Sequence, residues 1–275
     1  MRPIAIPPYI QQKYHLKDAP EIACSNIKSA YQLLQKGAID VSIVIPAYNE
    51  ELNILRTLNS LSNNITSYSV EIIVVNNNSK DRTKELVEAC GIPCILETVQ
   101  RISAARNAGL HAAKGKYILT ADADSIYPQY WIELMLTPLV SNDIALVYGS
   151  FSFIPTGNTS RFVYFCYEYL ADFTRWLNKT FKEEAVNVYG FNCGFRKRQA
   201  IEVDGHQFPP GASEDGWLAV KLRNKGFGKF FNISNPNALV WTTDRRIQSD
   251  GGLFKAVIKR LRRLLGLSTA SRTDV

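Results

Sequence analysis

The sequence predicts an α/β fold, in which a mostly parallel central sheet carries helices on both faces within a single large domain. The main observation is that short apolar, β-branched runs alternate with helical patterns at short spacing from residue 41 onward. A second observation is size, since 275 residues with 46% hydrophobic side chains can bury a substantial core.

The first 40 residues are expected to form an arm on the outside of this domain, without catalytic chemistry. Residues 1–18 look irregular, and apolar residues at helical spacing predict a helix over 20–36 that stops at Gly37. The N-terminus is interrupted by prolines, and no apolar run approaches the ~18–20 residues that cross a bilayer. We therefore expect a cytoplasmic protein.

The first half of the main domain reads as strands separated by helices. The predicted strands are Val41–Pro46, Val70–Val75, Pro93–Leu96 and Tyr117–Ala121. The predicted helices are 51–61, a helix to Ala89 capped by Ser79 or Asp81, and 101–113. No G-x-G-x-x-G or Walker A motif follows any of these strands, which excludes nucleotide binding by the Rossmann or P-loop routes.

Two aspartates, Asp122 and Asp124, follow the fourth predicted strand. If the chain stays extended there, its two-residue period puts both carboxylates on one side, at the strand end where open α/β sheets bind ligands. Such a pair of hard oxygen donors suits Mg²⁺ or Mn²⁺ that already carries phosphate oxygens. The alternative is an Asp-rich turn that caps a helix, and these residues alone do not decide between the two.

The second half is predicted to continue the alternation. The predicted elements are a helix over 128–139, a strand over 145–153, an aromatic-rich helix over 159–178, a strand over 191–196, a helix over 199–203, and a strand beginning at Val240. We expect the aromatic side chains to pack in the core or an interface, with a wall facing an acceptor as the alternative.

A helix capped by Ser213 and ending at Gly226 is expected to hold Glu214 and Asp215 in its first turn. Acidic residues there interact favourably with the helix dipole, so capping alone could explain them. The functional interpretation is a general base at the rim of a site.

Basic residues concentrate near the C-terminus, although the whole chain carries a net charge of only +7. The segment from 245 to 263 has one acidic residue, Asp250, and these basic ones: Arg245, Arg246, Lys255, Lys259, Arg260, Arg262 and Arg263. Leu253 to Leu265 predicts a basic amphipathic helix, either interfacial or an ordinary solvated surface helix. Because the basic patch is confined to one segment, it argues against a general nucleic-acid-binding surface. It favours binding of phosphate groups, binding to a membrane surface, or both.

The cysteines and histidines suggest no site. The five cysteines are odd in number and lack metal-ligand spacing, which favours buried free thiols. The three histidines are scattered and form no nucleophilic or metal-binding pattern.

With these segments in order, the chain resembles the family 2 glycosyltransferases, which have the GT-A fold. The resemblance extends from Val41 to about Gly252 and rests on five motifs in the right order. These motifs are Val41–Glu50, Ile73–Thr83, Ser103–Gly109 with its Arg-Asn-x-Gly, Asp122-x-Asp124, and Glu214-Asp215 at a helix start.

The resemblance implies a role for each candidate residue. Asp215 would be the catalytic base with Glu214 beside it, and Asp124 would hold Mg²⁺ or Mn²⁺ on the diphosphate. The implied donor-binding residues are Pro46, Ala47, Tyr48, Glu50, Asn76, Arg106, Asp122, Arg245 and Arg246. The implied division is 1–40 N-terminal extension, 41–150 nucleotide-sugar-binding half, 151–252 acceptor and catalytic half, and 253–275 basic helix and tail.

We therefore expect a metal-dependent glycosyltransferase that transfers one sugar with inversion. The expected donor is a nucleoside diphosphate sugar, with UDP as the expected nucleotide. The expected acceptor is a glycan or a lipid-linked molecule, and we expect peripheral contact with a membrane. Relatives commonly carry Asp where this chain has Asn76 and Asn77, although an Asn carbonyl can still accept from uracil N3–H. The Gln-x-x-Arg-Trp motif of processive synthases is absent, which favours single-sugar transfer. The alternatives are a nucleotidyltransferase or a catalytically inactive nucleotide-sugar-binding partner.

Overall fold

This computed structural model describes residues 2–16 and 18–264, which form two sheets and the helices around them. The strands, in chain order, are β1 Val41–Ala47, β2 Val70–Asn76, β3 Cys94–Leu96, β4 Tyr117–Thr120, β5 Ser125–Ile126, β6 Ile144–Gly149, β7 Phe151–Ile154, β8 Cys193–Arg196, β9 Lys229–Ile233 and β10 Val240–Thr243. The α-helices are α1 Pro8–Tyr14, α2 Pro20–Leu34, α3 Ile54–Ser62, α4 Thr83–Ala89, α5 Ile102–Ala112, α6 Trp131–Leu139, α7 Arg161–Phe181, α8 Lys197–Glu202, α9 Glu214–Asn224, α10 Arg245–Ser249 and α11 Gly252–Leu264. Two 3₁₀ helices span Glu184–Asn187 and Pro236–Ala238.

The larger sheet has seven strands in the order β3-β2-β1-β4-β8-β6-β9. β1 pairs in parallel with β2 and β4, and β2 pairs in parallel with β3. β8 is antiparallel to both of its neighbours, β4 and β6, and β6 is parallel to β9. The carboxyl ends of β1, β2, β4, β6 and β9 therefore meet at one edge, here named the carboxyl edge. The predicted mostly parallel sheet is confirmed.

The core lies on both faces of this sheet, as the alternation of β1 requires. Ile43 and Ile45 pack on one face with Leu58 of α3 and with α6. Val44 packs on the opposite face with Leu110 of α5 and with α9. The helices on both faces were predicted from the alternation of strands and helices.

Helix α5 lies unusually close to the sheet because of Gly109. A Cβ atom at this position would lie 2.2 Å from Val44 Cγ1 and 3.1 Å from Val75 Cγ2. Only a glycine lets the helix backbone approach β1 and β2 at this distance. The close approach fixes the height at which α5 carries Arg106 beside the carboxyl edge.

The smaller sheet, in the order β5-β10-β7, holds the N-terminal arm against the domain. Ile10 of α1 is fully buried in a cluster with Ile126 and Trp241. The prediction that residues 1–18 are irregular is therefore wrong for Pro8–Tyr14. Pro8 occupies the first turn of α1, where a missing backbone N–H has no consequence.

The strands differ from the prediction in three places. The single strand expected over 145–153 is two strands, because the chain leaves the larger sheet after Gly149 and enters the smaller one at Phe151. β9 was not predicted, although its burial alternates along the strand. β5 was also missed, since two residues carry too little periodicity to be recognised.

Some helix ends also differ from the prediction. The helix expected from residue 51 begins at Ile54, and the helix expected to end at residue 178 continues to Phe181. The predicted end of the basic helix at Leu265 lies outside the described residues, whereas its predicted start, Leu253, lies within α11. No helix among residues 2–16 and 18–264 is long and apolar enough to cross a membrane.

The predicted free thiols are confirmed for the cysteines, but not all of them are buried. Cys24, Cys90 and Cys193 are buried, Cys94 is partly exposed, and Cys166 is exposed. The predicted division at residue 150 stays a prediction. β8, from the second half, pairs with β4, from the first, so both halves contribute to one sheet.

Candidate active site

The aspartate pair lies just beyond β4, at the carboxyl edge. Asp122 and Asp124 are partly exposed, whereas Ala121 and Ala123 are buried. β4 ends at Thr120, and Ala123 and Asp124 form a turn, so the extended chain on which the prediction depended is not observed there. The two carboxylates are nevertheless close, since the charge of Asp122 acts on the pKa of Asp124.

The backbone of this turn is held by a buried tyrosine. The Tyr127 hydroxyl accepts a hydrogen bond from the Asp122 N–H at 2.9 Å and donates one to the Phe191 carbonyl at 3.0 Å. The next helix, α6, begins at Trp131 with Tyr130 at its N-cap. The helix-capping interpretation of the aspartate pair is therefore wrong.

A buried guanidinium gathers carboxylates from three parts of the chain. The side chain of Arg106 is only 3% exposed. Its Nη1 donates to Glu214 Oε1 and to Asp215 Oδ1, the latter at 2.5 Å, and its Nη2 lies 3.4 Å from Asp122 Oδ1. Gly190 lies flat against it, since a Cβ there would be 2.1 Å from both terminal nitrogens. We name Arg106, Asp122, Glu214 and Asp215 the Arg106 cluster.

The charges of the cluster compensate one another. Burial by itself would lower the pKa of Arg106, but the negative charges of Asp215, Glu214 and Asp122 outweigh it and raise that pKa. A buried charge that loses its partner is strongly destabilising, so the four side chains depend on one another. Arg106 was expected to approach the nucleotide or diphosphate. The structure brings its terminal nitrogens to protein carboxylates, and the expected donor contact stays a prediction.

Glu214 and Asp215 lie in the first turn of α9, as predicted, and the role of Asp215 as a general base stays a prediction. Ser213 caps the helix as predicted, since its Oγ accepts from the Gly216 N–H at 3.3 Å. The same turn points both carboxylates, each less than a tenth exposed, at Arg106. Capping therefore explains the helix start but leaves the partnership with Arg106 as a separate feature.

A neutral histidine lies behind Asp215. His206 Nδ1 is 3.8 Å from Asp215 Oδ1. Burial, and then the positive charges of Arg106 and Lys221, hold the pKa of His206 well below its usual value. Asn107 Oδ1 accepts from the His206 backbone N–H at 2.8 Å and so fixes this turn. Each named residue of the Arg-Asn-x-Gly motif thus has a structural partner.

A second arginine connects the aspartate pair to the first loop. Arg245 Nη2 lies 2.5 Å from Glu50 Oε1 and 3.0 Å from Asp124 Oδ2. Its side chain is 50% exposed, in contrast to that of Arg106. Burial, then the charges of Asp122 and Glu50, raise the pKa of Asp124 to about 6, while Arg245 and Arg246 act against this rise.

These carboxylates fit a divalent metal ion. Asp122 and Asp124 offer neighbouring hard oxygen donors. The pKa of Asp124 is raised first by burial and then by the negative charges of Asp122 and Glu50, and a cation would offset these charges. Within residues 2–16 and 18–264, no group of three or more His, Cys, Asp or Glu side chains is arranged to hold a metal. The arrangement therefore suits an ion that takes one or two protein carboxylates and completes its shell with phosphate oxygens and water.

A buried carboxylate, not predicted from the sequence, positions the two arginines at the start of α10. Asp244 is fully buried and accepts hydrogen bonds from Thr156, from the Tyr164 hydroxyl at 2.7 Å and from Gln248 at 3.0 Å. Burial would raise the pKa of Asp244, but these hydrogen bonds outweigh it and lower that pKa. The hydrogen bonds to Asp244 therefore fix the turn that presents Arg245 and Arg246.

The loops after β1 and β2 form the other wall. The Ala47 carbonyl accepts from the Asn77 N–H at 2.8 Å, and Tyr48 is 47% exposed. Asn76 Oδ1 accepts from the Ser79 N–H at 3.0 Å, so reading a base would use its second lone pair or its amide. Pro46 lies within β1, and the donor-binding roles of these residues stay predictions.

Side-chain hydrogen bonds that were not predicted from the sequence connect these two loops. Asn49, in the left-handed region at φ +52°, accepts from the Lys80 N–H at 2.8 Å. Asp81 accepts from the Glu51 N–H at 3.0 Å and from Thr83 at the start of α4. Side chains with this turn-forming chemistry are visible in the sequence, but only the fold shows that they bridge separate loops.

The family model described as Glycosyl transferase family 2 matches residues 42–203. The Bacillus subtilis protein named Probable glycosyltransferase YdaM is 31% identical over 218 residues, which is 73% of this chain and 50% of that protein. The Escherichia coli protein named UDP-Glc:alpha-D-GlcNAc-diphosphoundecaprenol beta-1,3-glucosyltransferase WfgD is 29% identical over 118 residues, which is 42% of this chain and 46% of that protein. The chain thus spans about half the length of these curated relatives.

Solved structures share the fold at low identity. S. aureus TarS in complex with UDP-GlcNAc superposes with a TM-score of 0.56 at 17% identity, covering 74% of this chain and 58% of that one. The mannosyltransferase PcManGT from Pyrobaculum calidifontis, in complex with GDP-Man and Mn²⁺, gives a TM-score of 0.57 at 17% identity, covering 92% and 78%. The predicted GT-A type of fold is confirmed. Because the family model covers more than half of the sequence, the chain belongs to glycosyl transferase family 2.

Proposed function

We propose that this glycosyltransferase moves one sugar from a nucleoside diphosphate sugar to an acceptor hydroxyl, with a divalent metal ion and with inversion at the anomeric carbon. One observation carries the proposal. The Arg106 cluster lies directly beside the aspartate pair, since Asp122 belongs to both. A candidate base and a candidate metal ligand therefore both lie near Asp122, at the same edge of the sheet.

The donor occupies the loops after β1 and β2. Pro46, Ala47, Tyr48 and Asn76 line the base and ribose, and Asp122 contacts the ribose or the sugar. Arg245 and Arg246 face the diphosphate, for which the half-exposed Arg245 exchanges its contacts with Glu50 and Asp124. Guanidinium groups bind phosphate oxygens with two parallel hydrogen bonds, which favours this exchange.

The Asp124 carboxylate would hold Mg²⁺ or Mn²⁺. When bound there, the ion supplies Lewis-acid neutralisation of the charge that develops on the leaving diphosphate. The related fold of PcManGT was solved with GDP-Man and Mn²⁺, which supports an ion of this type. The two donors in the similar structures are linked to UDP and to GDP, so UDP is our expectation and both nucleotides belong in the assay.

Asp215 acts as the general base. It takes the proton of the acceptor hydroxyl, whose oxygen forms a bond to the anomeric carbon while the bond from that carbon to the diphosphate oxygen breaks. The attack comes from the face opposite the leaving group, so one displacement inverts the configuration. Arg106 is the positioning residue that holds Asp215 and Glu214 at this place.

We further propose that the acceptor is lipid-linked and that the enzyme works against a membrane surface. Helix α7 presents a stripe of exposed aromatic side chains that do not line a cavity, formed by Phe162 and Phe173, which lie eleven residues or about three helical turns apart. The aromatic side chains of this helix were expected to pack in the core or an interface. Tyr164 is fully buried, whereas the exposed rings are not in the core, and an interface for them stays a prediction. Aromatic side chains and cations on one surface are typical of interfacial binding.

Helix α11 adds the cations beside this stripe. Arg260 Nη1 donates to Thr174 Oγ1 of α7 at 2.7 Å, and its guanidinium lies 5.3 Å from the ring centroid of Tyr167. Lys255 and Lys259 are exposed on α11. The name of the relative WfgD specifies a diphosphoundecaprenol-linked substrate, which supports an acceptor of this class.

Replacing Asp124 by Asn should remove metal-dependent donor binding. The amide keeps the shape but not the charge of the carboxylate. The factor by which Mn²⁺ increases the affinity for a UDP-sugar or GDP-sugar should therefore be roughly 100-fold smaller in the variant than in the wild type. Titration calorimetry with and without Mn²⁺ measures this. Asp143→Asn, at the opposite edge of the sheet, is the matched control. Equal Mn²⁺ dependence in Asp124→Asn and wild type would remove Asp124 from the metal site.

Asp215→Asn should lower kcat by about 10²- to 10⁴-fold, because the amide cannot accept the acceptor proton. Donor affinity should change by less than about 3-fold, since the base contributes to the transition state rather than to donor binding. Glu214→Gln should lose less activity. Thermal unfolding of each variant checks that Arg106 tolerates the lost charge. Near-wild-type transfer by a folded Asp215→Asn enzyme would refute the assignment of the base.

The double substitution Lys255→Glu/Lys259→Glu should weaken binding to vesicles that contain anionic lipid by roughly 10- to 30-fold, since each basic residue near such a surface contributes about 1 kcal/mol. Co-sedimentation at low and high salt measures the binding. Lys28→Glu/Lys84→Glu, on α2 and α4, is a control with the same charge change. If both double variants sediment like the wild type, the proposed membrane surface is wrong.

A further inference from the structure

A cavity that none of the site motifs reaches lies further along the carboxyl edge. It has a volume of about 300 Å³ and lies between α7 and the ends of β6 and β9, so we name it the β6–β9 cavity. β4 and β6 point the same way with β8 between them, and strands lie ~4.8 Å apart. The cavity therefore opens on the same edge as the aspartate pair, roughly 10 Å away along the sheet.

One turn of 3₁₀ helix, Glu184–Asn187, separates the cavity from the candidate base. Asn187 lines the cavity. Ala185, two residues earlier, contacts α9, since a Cβ at Gly216 would lie 2.9 Å from its carbonyl oxygen. Gly216 follows Asp215 directly. A chain molecule that ends at Asp215 could thus continue past this turn into the cavity.

The walls offer aromatic rings at the mouth and polar groups inside. Trp176 is 53% exposed and Tyr169 is 42% exposed, and both line the cavity. Half-exposed rings provide apolar faces for stacking together with a polar edge. Asn232 and Asn235 add amide groups, which can both donate and accept. This combination is suited to a ligand with apolar C–H faces and many hydroxyl groups.

Two polar atoms of the wall lack partners within residues 2–16 and 18–264. Asn232 Oδ1 and Arg175 Nε are buried and make no hydrogen bond there. One is an acceptor and the other a donor, and buried polar groups are normally paired. A hydroxyl group can donate to the first or accept from the second, so a polyhydroxylated ligand would satisfy both.

The charges of the cavity favour a neutral ligand over a phosphate. Arg2 Nε lies 2.6 Å from Asp172 Oδ2, and Arg175 Nη1 lies 3.5 Å from Asp172 Oδ1. Lys179 Nζ lies 3.3 Å from Glu184 Oε1. Every cation of the wall thus already has a carboxylate partner, and an added anion would have to compete with these pairs.

We propose that the β6–β9 cavity is a glycan subsite that binds a neutral sugar unit of the acceptor, two or three units back from the reacting hydroxyl. The sugar stacks on Trp176 and Tyr169 and forms hydrogen bonds with Asn232 and Arg175. This assignment rests on the proposed function, because it treats the ligand as part of the acceptor whose free hydroxyl meets Asp215.

Binding is tested directly, without catalysis, by saturation-transfer-difference NMR with maltotetraose, cellotetraose, chitotetraose and mannotetraose as probes. We expect at least one probe to bind the wild-type protein. Trp176→Ala and Asn232→Ala should each weaken this binding at least 10-fold. Asn232→Ala should not lower thermal stability, because Oδ1 makes no hydrogen bond with the described residues.

Two control variants locate the effect. Phe162→Ala removes an equally exposed aromatic of α7 that does not line the cavity, and it should bind the probe like the wild type. Asp215→Asn should also bind it, since the cavity does not contain the base. Donor binding with Mn²⁺, measured on the same samples, separates the two proposals, because donor binding without probe binding refutes only the glycan subsite.

Three results would overturn the subsite. The first is that no probe binds, and the second is that Trp176→Ala and Asn232→Ala bind the probe as tightly as the wild type. The third is that pyrophosphate displaces the probe from the cavity in Asp124→Asn, which would identify an anion site instead. Loss of donor binding with probe binding retained would contradict the proposed function and leave the subsite in place.

Discussion

The buried guanidinium of Arg106 is the interaction on which the site depends. It brings together Asp122 from the turn after β4 and Glu214 and Asp215 from the start of α9, which are far apart in the sequence. Three carboxylates at this spacing would repel one another without a cation between them. Arginine suits the position, because its planar fork offers five donors and keeps its charge when buried. Gly109 and Gly190 leave the space in which the helix and the guanidinium fit.

The site uses two arginines in different environments. Arg106 is buried and fixed, whereas Arg245 is half exposed and contacts Glu50 and Asp124 at the entrance. A buried ion pair mainly fixes geometry, while an exposed one can exchange partners at little cost in free energy. This contrast gives the Arg106 cluster the role of holding the base and gives Arg245 the role of meeting the donor diphosphate, both as parts of our proposal.

Periodicity predicted most of the fold, and the order of motifs singled out side chains that the fold brings together, namely Arg106, Asp122, Glu214 and Asp215. The buried parallel strands β1, β2 and β4 carry long apolar runs, so they were recognised, whereas β9 and the two-residue β5 were not. Sequence patterns do not reveal which side chains meet across the fold. The partners of Arg106, the buried Asp244 and the bridge from Asn49 to Lys80 therefore appeared only in the structure. The aromatic side chains of α7 were expected to pack in the core or an interface, but only Tyr164 of them is fully buried, because hydrophobicity alone does not tell a buried stripe from an exposed one.

The most direct test of this account is a double-mutant cycle of Arg106→Lys and Asp215→Asn, with kcat and donor affinity measured on folded proteins. If Arg106 acts by positioning Asp215, Arg106→Lys alone should lose most of kcat while donor affinity changes little. The double variant should then be no slower than Asp215→Asn, because the two losses describe one interaction. Near-wild-type kcat in Arg106→Lys, or losses that simply multiply in the double variant, would contradict the account.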